Sequence, residues 1–171
     1  ALVAQLISAN GLRNEGIQIV LTGGYSPDAF TPTEPNLLMA PMAVTMASEE
    51  QYRTGVKVIT HRNVRELPAA KTTDYLIAVR EISRMTAAGA IEVLYHDGEV
   101  ISEGARSGLA IVTAEGVLVT AGEGVLESIT LKRVLDVART LLPIERRDIT
   151  VAEFANAPEA FLTGTTRCVL P

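Results

Sequence analysis

Residues 91–121 read IEVLYHDGEVISEGARSGLAIVTAEGVLVTA, short β-forming runs broken by two pairs, Asp97-Gly98 and Glu115-Gly116. An Asp-Gly pair between such runs is a hairpin signal, because glycine accepts the positive φ that a tight turn demands. The pattern predicts two short strands over 91–102 around Asp97-Gly98, and a second pair over 108–121 around Glu115-Gly116.

A helix is predicted on each side of these hairpins. Tyr75, Ala78, Val79, Ile82 and Met85 recur at helical spacing and predict a helix over 74–88 with those residues on its apolar face. Leu131, Val134, Leu135, Ala138, Leu141 and Leu142 predict a second over 129–142, stopped by Pro143. Beyond it, IERRDIT reads as a strand, and Thr150 to Glu153 as a capping box opening a short helix. Residues 159–171 read as a strand, a Gly-Thr-Thr turn and the start of another strand.

Toward the N-terminus, Leu2, Val3, Leu6 and Ile7 predict a short helix ending near Asn10-Gly11. Residues 16–24 read as a strand closing on paired glycines, 24–35 as a loop, and 36–46 as a strand whose Pro41 suits an edge or a bulge. SEEQYRTG (48–55) reads as a connection, and GVKVITHR (55–62) as a third strand with Val56, Val58 and Thr60 opposite Lys57, Ile59 and His61. Many short strands with two good helices make the chain α+β, with a mixed, strongly curved sheet.

Apolar residues make up 47% and charged residues 20% of the 171 residues, a globular balance. The net charge of −5 and the absence of a Lys/Arg run exclude a nucleic-acid surface, and no apolar run is long enough to span a membrane. Cys168 is the only cysteine and His61 and His96 the only histidines, so neither a disulfide nor a metal cluster is expected, and a reduced cytoplasmic protein is.

Three lysines compete for any amine chemistry. Lys57 sits mid-strand and Lys132 beside Arg133, both as solvated charges. Lys71 follows the small apolar lead-in Leu67-Pro-Ala-Ala and precedes a helix, a setting that partly desolvates the amine and favours Schiff-base chemistry. Glu103 ends a predicted strand before Gly104, as a turn acid or as a carboxylate aimed at a site. Ser128-Ile129-Thr130 opens a helix, where Ser128 is an N-cap and the free N–H groups suit a phosphate. LTGTTR (162–167) is a second Gly-and-hydroxyl turn of the kind that holds phosphate oxygens.

In that order, K-T-T-x-Y-L, S-E-G-x-R-S, G-V-L-x-x-I-T, R-D-I-T and F-L-T-G-T-T, the motifs closely resemble the class IV (fold type IV) pyridoxal-phosphate aminotransferases. That family includes branched-chain and D-amino-acid aminotransferases and aminodeoxychorismate lyase. The resemblance covers nearly the whole chain. It implies a fold type IV cofactor lobe with a mixed, pseudo-barrel sheet at 47–171, and the remainder of a smaller α/β lobe at 1–46. It implies pyridoxal 5′-phosphate bound through Lys71, which also shuttles the substrate proton. Glu103 would pair with the pyridine nitrogen and Tyr75 approach the phenolic oxygen. Ser128, Ile129, Thr130 and Thr165 would hold the phosphate, and Thr166, Gly23 and Tyr25 would face substrate. The implied partners are an amino acid, a 2-oxo acid and a second copy of the chain in a homodimer.

Three positions depart from the family pattern. T-R-G becomes Thr22-Gly23-Gly24, without the arginine that recognises substrate carboxylate. E-G-S-x-S-N becomes Glu103-Gly104-Ala105-Arg106-Ser107-Gly108, and G-I-T-R becomes Ser128-Ile129-Thr130-Leu131. Family members also carry more chain at both ends, so a fragment is expected. An aminodeoxychorismate-type lyase and a degenerate non-catalytic relative are the alternative readings.

Overall fold

Gly11, at φ 60°, ends α1 (Leu2–Asn10), its N–H and that of Leu12 reaching back to carbonyls of the last turn. This computed structural model describes every residue from Ala1 to Pro171, in two compact units, Ala1–Met46 and Ala47–Pro171. In the first unit, β1 (Gly16–Leu21) and β2 (Leu37–Met42) pair antiparallel, from Gly16 opposite Met42 to Leu21 opposite Leu37. A two-stranded sheet has only edges, which is why Pro41 is accommodated opposite Ile17. The intervening loop is tied by Thr22 N–H to Asn36 O at 3.0 Å and Thr33 N–H to Gly23 O at 2.7 Å.

The second unit opens with α2 (Glu49–Thr54), where a plain connection was expected. Ser48 caps it by accepting from Gln51 N–H at 3.2 Å, and Gln51 Oε1 accepts from Ser48 N–H at 2.9 Å, a complete capping box. β3 (Val58–Arg62) follows. The single helix expected over 74–88 is two, α3 (Leu76–Arg80) and α4 (Ile82–Ala88), broken at Glu81 with φ −82° and ψ −5°. Its inward face also differs. Val79 and Ile82 are exposed, whereas Ala78 and Met85 are half-buried and Glu81 is buried. The Glu81 carboxylate is admitted because His61 Nδ1, at 3.2 Å, and the Arg84 guanidinium both meet it.

Both hairpins form. Between β4 (Glu92–His96) and β5 (Val100–Gly104), Asp97 Oδ1 accepts the N–H groups of Glu99 and Val100 at 2.8 Å each. Between β6 (Gly108–Val112) and β7 (Leu118–Thr120), Gly116 turns the chain at φ 78°. α5 (Ile129–Ala138) ends earlier than the expected Leu142, leaving Leu141 exposed.

IERRDIT is not one strand. It splits into β8 (Ile144–Arg146) and β9 (Ile149–Thr150), which join different sheets. α6 (Val151–Asn156) is capped by the Thr150 hydroxyl, but Glu153 turns away from the expected capping box to grip Arg147 at 2.6 and 2.9 Å. β10 (Glu159–Gly164) and β11 (Cys168–Leu170) close the chain as a hairpin.

The strands of the second unit form two mixed sheets, β3-β4-β5-β9 and β11-β10-β6-β7-β8, with β3–β4 and β7–β8 parallel and the rest antiparallel. Strand periodicity sorts the core. Leu109 packs with Leu94, Ile101 and Leu162, and Ile111 with Val119 and Ile149, so these residues join the two sheets. The alternate residue Ala110 and Leu118 instead meet Leu131, Leu135 and Ala138 of α5. Packing α5 there fixes its N-terminus near the ends of β5 and β10.

Candidate active site

A cavity of about 630 Å³ lies within the second unit. It is walled by the loop before α3, the end of β5 and the turn after it, the start of α5, and the β10–β11 turn. Lys71, Tyr75, Glu103, Ser128, Ile129, Thr130 and Thr165 all line it, although they come from segments far apart in sequence. Thr166 does not line it, and Gly23 and Tyr25 belong to the first unit.

Lys71 is exposed, contrary to the expected desolvation, and enters no ion pair. What distinguishes it is the hydrogen-bonded loop that carries it. Arg65 donates from Nη2 to Ala70 O at 2.6 Å and from Nη1 to Pro68 O at 3.3 Å, fixing the carbonyls just before the lysine. Thr72 N–H closes back on Ala70 O at 3.1 Å. Tyr75 is the residue that precedes the first turn of α3.

Glu103 is buried, with each carboxylate oxygen engaged: Oε1 by Arg65 Nη1 at 2.9 Å, Oε2 by Leu126 N–H at 3.2 Å. Tyr95, also on the wall, has its phenol pushed up by burial and then by the Glu92 charge, so it stays a hydroxyl donor. Neither Arg65, Leu126 nor Tyr95 stands out in the sequence. A lone arginine six positions before Lys71 is the only signal for the first, and a backbone N–H leaves no trace in a sequence.

At the helix start, Ser128 Oγ accepts Leu131 N–H at 3.1 Å and Ser128 O accepts Lys132 N–H at 2.9 Å. The Ile129 and Thr130 N–H groups are left without an intrachain partner at the positive end of the α5 dipole. Beside them, Thr163 Oγ1 is buried without a hydrogen-bond partner. Gly108 faces it: a Cβ there would stand 2.8 Å from Thr163 Oγ1 and 3.3 Å from Ser128 Cβ.

The family model described as amino-transferase class IV matches residues 1–171. A D-alanine aminotransferase of Listeria innocua is 29% identical over 182 residues, covering 100% of this chain and 62% of that protein. A 4-amino-4-deoxychorismate lyase from Pseudomonas aeruginosa superposes with a TM-score of 0.78 at 22% identity, over 91% of this chain and 61% of that one. A T.th. branched-chain amino acid aminotransferase, solved with pyridoxamine 5′-phosphate, superposes with a TM-score of 0.80 at 25% identity, over 98% and 59%. The chain belongs to the class IV aminotransferases and has their fold type IV architecture. It spans about 62% of the length of the curated relatives it matches.

Pyridoxal 5′-phosphate is the cofactor of this family, and the cavity suits it. An unpaired amine, a buried carboxylate and two free backbone N–H groups at a helix start are the kinds of group that an aldehyde, a ring nitrogen and a phosphate would need.

Proposed function

We propose that the protein is a pyridoxal-phosphate-dependent aminotransferase moving an amino group between a branched-chain or D-amino acid and a 2-oxo acid. The observation that carries this reading is the shared cavity of the unpaired Lys71, the buried Glu103 and the open start of α5. When bound, the cofactor supplies a ring that takes up negative charge developing at the substrate α-carbon.

The chain's own residues do the rest. Lys71 anchors the cofactor and moves the proton at the α-carbon. Glu103 meets the ring nitrogen, and Tyr75 the phenolic oxygen. The N–H groups of Ile129 and Thr130, with the hydroxyls of Ser128 and Thr165, hold the phosphate. Thr166, with Gly23 and Tyr25, faces substrate. In this reading 1–46 is the remainder of a small lobe, 47–171 is the cofactor lobe, and the working form is a cytoplasmic homodimer.

Protein reconstituted with pyridoxal phosphate is expected to turn yellow, and Lys71→Ala to abolish the shifted absorbance without changing the melt of the cofactor-free protein. A wild-type protein that takes up no cofactor would sink the proposal and leave a degenerate relative. A second reading is an aminodeoxychorismate-type lyase, in keeping with the name of the Pseudomonas aeruginosa neighbour, and the missing arginine of Thr22-Gly23-Gly24 leaves the substrate open. Turnover of D- and L-donors that requires an added 2-oxo acid separates transfer from elimination.

A further inference from the structure

The residue after Thr165 and Thr166 is Arg167, and its guanidinium is spent inside the protein. Nη1 donates to Glu92 Oε2 and to Ser107 Oγ, and Nη2 to Ile91 O at 3.2 Å. Ser107 Oγ in turn donates to Glu92 Oε2 at 2.8 Å. The Arg167 side chain is 13% exposed and that of Glu92 only 1%. A carboxylate so deeply buried is retained only with its charge answered, and Arg167 is the one cation that meets it.

This network joins two walls of the cavity. Ser107 belongs to the turn that follows Glu103, and that turn presses on Glu92, since a Cβ on Gly104 would stand 3.1 Å from Glu92 Cγ. Arg167 belongs to the hydroxyl turn, closed by Arg167 N–H to Gly164 O at 3.2 Å and anchored by Tyr52 Oη–H to Arg167 O at 2.9 Å.

We propose that Arg167 is a positioning residue: paired with Glu92 and Ser107, it braces the Thr165-Thr166 turn at the distance from the Glu103 wall that the cofactor phosphate requires. The proposal rests on the pyridoxal-phosphate reading above. Arg167 does not itself bind the phosphate, because its donors are committed to Glu92, Ser107 and Ile91.

The test is titration of the whole protein with pyridoxal 5′-phosphate and with pyridoxal, which lacks the phosphate, alongside thermal melts. Glu92→Gln removes the charge that holds Arg167 without stranding a buried carboxylate. It is expected to weaken pyridoxal phosphate binding about tenfold while leaving pyridoxal within about twofold. The double variant Glu92→Gln/Arg167→Met, with neither charge, is expected to fold and show the same selective loss. If Arg167 were instead a phosphate ligand held back by Glu92, Glu92→Gln would tighten phosphate binding, and the proposal falls. It falls equally if both ligands weaken together, or if the double variant does not fold, since the network then serves the fold alone. Wild-type protein that binds neither ligand overturns the cofactor reading itself, whereas wild-type binding with unaffected variants overturns only the brace.

Discussion

Arg65 Nη1 stands 2.9 Å from Glu103 Oε1, joining residues 38 positions apart, while the same guanidinium holds the carbonyls of Pro68 and Ala70 ahead of Lys71. One side chain thus ties the acid of the cavity to the loop that presents its amine. The two partners are not equally buried, with Arg65 20% exposed and Glu103 7%.

That asymmetry predicts unequal costs. Arg65→Ala strands the more buried carboxylate and frees the lysine loop, and is expected to destabilise the cofactor-free protein by about 2–4 kcal/mol. Glu103→Gln leaves an arginine that can reach water and is expected to cost about 1 kcal/mol. Chemical denaturation of both variants measures the difference, and equal losses would contradict it.

Thr163 presents the opposite situation, a buried hydroxyl that the protein itself does not use. Thr163→Val removes the unmet donor at nearly constant shape, and is expected to stabilise the cofactor-free protein by about 1 kcal/mol. Because Thr163 is fully buried and offers the cavity no exposed atom, the same change is expected to leave pyridoxal phosphate binding within about twofold. A melt and a titration on one preparation read both effects; a lower melting temperature would show that Oγ1 has a structural partner after all.

The 24–35 loop carries its own acid dependence. Asp28 is held far below the ordinary aspartate range, first by Thr31 N–H, then by the Thr31 hydroxyl, Phe30 N–H and the Ser26 hydroxyl. A carboxyl depressed in the folded loop contributes order that is fully present above the unfolded pKa and lost as the pH falls through the folded one. Amide exchange at Phe30 and Thr31 is therefore expected to be slow at neutral pH and to lose protection only below about pH 4. Asp28→Asn is expected to abolish that transition.

Local signals were the legible ones. The Asp97-Gly98 and Glu115-Gly116 turns, the Ser128 cap and the Gly11 stop each depend on residues within one turn of the chain, and each forms as expected. Ser48-Glu-Glu-Gln51 is equally local, and its capping box opens a helix where a plain connection is expected. The break at Glu81 is not local, because burying that carboxylate depends on His61, twenty positions earlier on another element, as well as on Arg84. IERRDIT divides because its two halves are recruited by β7 and β5, a choice made by the sheets. At the site, the order of motifs announces Lys71, Glu103 and the α5 start, whereas Arg65 and Arg167 find their partners 38 and 75 residues away.

The open start of α5 has a consequence for turnover. Its two free donors belong to the backbone, so the side chain of Ile129, 81% exposed, can vary without removing either. An anion seated there completes a helix whose other face, Leu131, Leu135 and Ala138, is part of the central core. A ligand held at 100 times its dissociation constant adds about 2.7 kcal/mol to the folded state. Vitamin supply would then govern how long each molecule survives proteolysis, with scarcity thinning the population before it slowed the chemistry of those that remain.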